Sequence, residues 1–311
     1  MPPILITPAD TTVWQEGDAA KPNPFFILIL NNPALESPEG SGNFTADMPG
    51  DDPGHRPLFD GSARYIVDNL FGRLPGQAER LLSDSPDAAR IKVWSVFVPG
   101  LQPEEANALV ADYHIPGSSI LAPRRDAVVE FLRRLDLDPD IVFVVSNSPT
   151  NRRAAAYGTT DDDTRGGIDF TYDGRTLCHR FFHQIPGMAA LHTTSSALTA
   201  AHEFGHAFSS YSNGFVTDLY VSGDAQFNRK TGRPIPAEFC RYNGVAFASD
   251  PLRNGLGYPA DWSSYHSQLD DPANPSVMDN FWFGQDNGMA CRHDRLTKAY
   301  VLDRIAAKVS R

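Results

Sequence analysis

Two uninterrupted apolar runs, Phe25-Phe26-Ile27-Leu28-Ile29-Leu30 and Ile141-Val142-Phe143-Val144-Val145, leave this chain few ways to fold. Neither has a polar face to turn to water, and both fall far short of the roughly 20 residues that span a bilayer. Each reads as a strand buried in a core, and residues 91–98 (IKVWSVFV) read as a third. Helical patterns lie between them. Residues 61–82 place Ile66, Leu70, Leu74, Leu81 and Leu82 at helical spacing, with a break expected at Pro75-Gly76. Residues 103–113 predict a short helix with acidic residues in its first turn, and residues 124–135 (RRDAVVEFLRRL) an amphipathic one. Strands and helices in this order predict an α/β layer with a partly parallel sheet.

Residues 175–182 read as one more strand, suited to a sheet edge, residues 213–286 as loop-rich, and residues 292–309 as a closing helix. With 311 residues the chain can form one large domain or two. The pattern divides it into an α/β portion at 1–135, with no recognisable motif, and a portion at 136–311 that carries the chemistry. The two could equally be one continuous domain.

A net charge of −11 argues against nucleic acid as a partner, since no basic stripe exists to neutralise phosphates. No basic segment followed by an apolar one opens the chain, and no run is long enough to span a membrane. The expected location is the cytoplasm, or outside it by a route without an ordinary signal peptide. Cys178, Cys240 and Cys291 make no disulfide framework, and without a Cys-x-x-Cys pair a thiolate zinc site has no support. Asp161-Asp162-Asp163 lacks the spacing of a calcium loop and reads as solvated. Gly-x-Ser-x-Gly and glycine-rich phosphate loops are absent.

The chemistry concentrates in His202-Glu203-Phe204-Gly205-His206, a match to H-E-x-x-H within residues 195–211, which read as a helix. Positions i and i+4 share a helix face, so His202 and His206 can grip one zinc ion together. Glu203 lies about 100° around the helix, suited to act as a base on a metal-bound water. Small residues before the motif suit a buried helix, and Ser212-Asn213-Gly214 offers a stop.

A catalytic zinc takes a third protein ligand. The extended form H-E-x-x-H-x-x-G-x-x-H fails, because Ser209 and Ser212 stand where Gly and His are required. Glu238, in Pro236-Ala237-Glu238-Phe239, is one candidate supplier, and His266 is another.

Downstream, Pro275-Ser276-Val277-Met278-Asp279-Asn280 resembles the Met-turn of metzincins, a tight turn that sets a methionine beneath the zinc. Together with HEFGH and the apolar strand at Asp140–Val145, it resembles the IgA-peptidase-type metallopeptidases, over roughly residues 140–280. The resemblance implies an α+β zincin-like fold: a mixed sheet with flanking helices, an active-site helix and a loop-rich C-terminal part. It also implies an acidic third ligand shortly after the site helix. Asp218 is the nearest equivalent, with Gly214 letting the chain turn back toward the metal.

The function expected is that of a zinc-dependent peptidase acting on a peptide or protein, with Glu203 as general base. Tyr265 is a candidate oxyanion donor, in competition with Tyr220 and Tyr242. A zinc amide hydrolase of non-peptide substrates is the alternative, or a catalytically silent, metal-stabilised binding protein.

Overall fold

The computed structural model describes residues 2–49, 52–98, 101–115, 118–150, 154–157, 159–160, 168–172, 175–179, 185–196, 198–208, 210–212, 215–221, 239–242, 245–249, 263–267, 276–278, 291–293, 298, 301–302, 305–306 and 308–310. For residues 114, 115, 118, 119, 157–179 and 210–267 the description is of the backbone alone.

In chain order the first half carries β1 (Thr11–Gln15), β2 (Phe25–Asn31), β3 (Ala34–Glu36), β4 (Phe44–Ala46), α1 (His55–Leu70), β5 (Ile91–Val96), β6 (Ala108–Ile115), β7 (Ser118–Pro123) and α2 (Arg125–Leu135). Then come β8 (Ile141–Ser146), β9 (Ala155–Tyr157), β10 (Thr159–Thr160), β11 (Ile168–Tyr172), β12 (Arg175–His179), β13 (Gly187–His192) and α3 (Thr199–Phe208). The last strands are β14 (Ser210–Ser212), β15 (Phe215–Val221), β16 (Phe239–Tyr242), β17 (Val245–Ser249) and β18 (Ser263–Ser267). The chain is thus a mixed α and β structure.

Its centre is a six-stranded sheet in the order β1-β5-β2-β8-β13-β9. The four inner strands are parallel, and antiparallel β1 and β9 close the two edges. Three strands from each side of residue 135 lie in it, joined where β2 pairs with β8, so the α/β portion and the motif-bearing portion share one sheet. Alternation along a strand sends successive residues to opposite faces, and here both faces are covered. Phe25, Ile27 and Ile29 of β2 meet α1, α3 and Val301, Ile305 and Val309 on one side. Phe26, Leu28 and Leu30 meet α2, β6 and β7 on the other. That is why the two apolar runs have no polar positions. Asp140 ties three strand starts together: its carboxylate accepts from Phe26 N–H at 2.9 Å, its own N–H donates to the Phe26 carbonyl, and its carbonyl accepts from Gly187 N–H at 3.1 Å.

Three expectations need correction. The helix predicted over 103–113 is a single turn, Glu105–Asn107, followed by β6. Long-range pairing overrides the local preference, since β6 joins β3 and β7 in a second sheet, and the Asn32 side-chain oxygen accepts from Leu109 and Val110 N–H. The first helix begins at His55 and ends before Pro75, because Gly72 adopts φ +62 and its neighbours close the end with hydrogen bonds back to Val67, Asp68 and Asn69. The stretch expected to be loop-rich, 213–286, carries β15, β16, β17 and β18, in a sheet ordered β10-β14-β15-β18-β17-β16. Residues 175–179 form β12 as expected, paired with β11. Among the described residues no helix is long and apolar enough to cross a membrane.

Candidate active site

The site helix α3 is set by its packing on β13, the strand just before it. Gly187, which opens β13, lies so close to α3 that a Cβ there would overlap the Ala207 carbonyl and reach within 2.7 Å of Ile141 Cδ1. Aromatic contacts secure the same face, with Phe143 stacked on Phe204 at 6.4 Å and Phe25 on Phe208 at 5.3 Å between ring centroids. From the other side Asn69, at the end of α1 and fully buried, accepts the Ala201 N–H at 2.8 Å. The first turn of a helix has N–H groups without intrahelical partners, and Asn69 satisfies one of them.

On this helix the two imidazoles converge. His202 Nε2 and His206 Nε2 lie 3.1 Å apart, with the rings edge to face. Two zinc–imidazole bonds of about 2.05 Å near the tetrahedral angle would hold their nitrogens roughly 3.3 Å apart, so the spacing of the pair suits a zinc ion. The other nitrogen of His202 is committed: Nδ1 is 2.6 Å from the Val277 carbonyl. A carbonyl only accepts, so Nδ1 carries the hydrogen and Nε2 keeps its lone pair for a metal. Both rings are part-exposed, while Glu203 between them is buried.

Met278 sits directly beneath the motif, where a Cβ on Gly205 would overlap its Sδ and come within 2.8 Å of its Cε. Only glycine leaves room for the thioether there. The turn itself is held by Ser276, whose hydroxyl accepts from Met278 N–H at 3.1 Å, and Val277 and Met278 are fully buried.

Among the described residues no third His, Cys, Asp or Glu joins the two histidines. Asp218 lies on β15, which packs near α3, and its backbone is in register with Ser264 of β18. Tyr265 is one step further along β18, opposite Leu219, and His266 follows opposite Tyr220. The side chains of Asp218, Tyr265 and His266, and all of Glu238, lie outside the described residues.

Two buried polar residues outside the motif escaped sequence reasoning. His293 is one: its Nε2 donates to the Ala201 carbonyl at 3.2 Å, and its Nδ1 lies 2.9 Å from Glu79 Oε2. Burial works against ionisation of Glu79, but the adjacent His293, with Lys298 further off, holds its carboxyl below the usual range. Asp47 is another, at the carboxyl ends of β2 and β8, where it accepts from Asn32, Ser146 and Asn147 N–H. Burial pushes its carboxyl up despite those bonds.

Compared with family models, with curated proteins and with solved structures, the chain matches none.

Proposed function

We propose that the chain is a zinc-dependent peptidase with a zincin-like fold and a metzincin-like site. One observation carries the reading: His202 and His206 bring their Nε2 atoms to within 3.1 Å of each other on a helix that rests on Met278. Glu203 in the same helix has the chemistry of a general base. The resemblance to the IgA-peptidase-type metallopeptidases rests on those residues.

His202, His206 and a third ligand, Asp218 by preference, would hold a zinc ion, whose chemistry there would be Lewis acidity toward the scissile carbonyl and the attacking water. Glu203 takes the proton of that water on its carboxylate and delivers it to the departing amine nitrogen. Val277 keeps His202 in the tautomer that leaves Nε2 unprotonated. Tyr265 is assigned to the oxyanion.

A peptide is favoured over other amides by the edge of the central sheet. β9 is the outermost strand beside β13, and it packs against α3. An extended peptide can add to such an edge by main-chain hydrogen bonds, which would lay it along the site helix.

Purified protein loaded with zinc and offered a mixed peptide library tests the reading. Cleavage is expected, with a loss of about 100-fold or more in kcat for Glu203→Gln. Stoichiometric zinc with no cleavage would leave the non-peptide hydrolase or the silent binding protein. Equal activity in Glu203→Gln would remove the proposed base.

A further inference from the structure

The hydrogen bonds around the site helix close into a ring that no single segment contains. His202 Nδ1 donates to the Val277 carbonyl. Val277 N–H donates to the Arg292 carbonyl at 3.0 Å, and Ser276 bridges Arg292 in parallel. The next residue, His293, returns to the helix through Nε2 and the Ala201 carbonyl, one residue before His202. Leu198, Ala201, Val277 and Cys291 fill the middle as a small apolar cluster. The ring therefore links both sides of the His202–Val277 contact.

Glu79 fixes this ring from outside. Its carboxylate accepts from the His293 backbone N–H and pairs with His293 Nδ1. Glu79 thus holds His293 at its backbone N–H and lies beside its Nδ1. Glu79 is 3% exposed and the His293 side chain 1%, which makes this a buried, charge-assisted contact. Gly72 lets the Glu79 segment approach: a Cβ there would overlap the Glu79 carbonyl and reach within 2.9 Å of Arg80 Cα.

We infer that Glu79 and His293 are positioning residues for the imidazole of His202. Through Arg292 they set the place of the Val277 carbonyl, and through Ala201 the place of the helix turn that carries His202. The inference rests on the metal-site reading above for its purpose. Partners that orient a metal-bound histidine are worth about 10- to 100-fold in metal affinity.

The test is long-range 1H–15N NMR of the metal-free protein, with zinc affinity by chelator competition as a second readout. In the wild type His202 is expected as a single Nδ1–H tautomer. In Glu79→Gln and His293→Gln it becomes a mixture, and the zinc Kd rises about 10- to 100-fold. Glu79→Asp keeps the charge but withdraws the carboxylate by one methylene. It should show the same change in smaller measure, and it decides the question if the other two variants do not fold. Asn69→Leu, which removes the other grip on Ala201, leaves the tautomer as in the wild type. An unchanged tautomer in the Glu79 and His293 variants overturns the inference. Wild-type protein that binds no zinc overturns the metal reading instead, and the tautomer comparison still decides the positioning role.

Discussion

Gly205 and Met278 are in direct apposition, and neither has room to spare. Met278 is fully buried, and a Cβ on Gly205 would fall on its thioether. Two effects compete in Gly205→Ala. Alanine is worth about 1 kcal/mol over glycine within a helix, while overfilling a packed core costs about 1–3 kcal/mol. Met278 is fully buried and its thioether must shift to admit the Cβ, so the second effect is expected to outweigh the first. Gly205→Ala is expected to lower stability by about 1 kcal/mol in urea unfolding. In a Met278→Ala background, which itself costs about 2–5 kcal/mol, the same substitution turns neutral or favourable. A stabilising Gly205→Ala in the wild-type background would contradict the apposition.

Asn69 makes a separate prediction, because its side chain meets a helix end rather than another side chain. Asn69→Ala leaves the Ala201 N–H buried without its acceptor, at a cost of about 1–3 kcal/mol. The urea midpoint should fall with the slope of the transition unchanged, as expected for a loss confined to the folded state. No shift in midpoint would mean that water or another group takes over the N–H.

The buried Asp47 gives stability a defined response to pH. Its folded carboxyl titrates above the ordinary 3.8 because burial penalises the charge. Below 3.8 the carboxyl is protonated in both folded and unfolded chains and contributes no pH dependence. As pH rises through the folded value the unfolded chain gives up its proton more readily, so stability is lost across that window. Asp47→Asn cannot titrate. Its stability relative to the wild type should therefore improve between pH 3.5 and 7, as measured by urea unfolding at each pH. A difference that stays flat with pH would mean that Asp47 titrates alike in both states.

How much of this was readable beforehand follows from the range of each interaction. Phe25–Leu30 and Ile141–Val145 announce burial on both faces by composition alone, and both are central strands. His202 and His206 are legible because four residues of helix bring them together. The strand Gly187–His192 was not legible, since Gly-Met-Ala-Ala-Leu-His has little preference for a strand. Its conformation comes from parallel pairing with β8, about 46 residues earlier. The supports of the site are hidden for the same reason. Asn69 reaches Ala201 across 132 residues, His293 reaches Ala201 across 92, and Glu79 reaches His293 across 214. A lone Asn, His or Glu carries no sign of such a partner.

The third ligand of the proposed zinc site can be settled by comparing losses. Two imidazoles alone make a weak site, and catalytic zinc takes three protein ligands. His206→Ala removes one nitrogen of the convergent pair and sets the scale of losing a ligand, expected as a fall of at least about 100-fold in zinc affinity, above the range for outer partners. If Asp218 completes the site, Asp218→Ala falls by a comparable factor in chelator competition. Glu238→Ala and His266→Ala then stay near the wild type. Asp218 is on β15, which packs near α3. Wild-type affinity in Asp218→Ala, with the loss transferred to Glu238→Ala or His266→Ala, would reassign the ligand and leave the roles of His202, Glu203 and His206 unchanged.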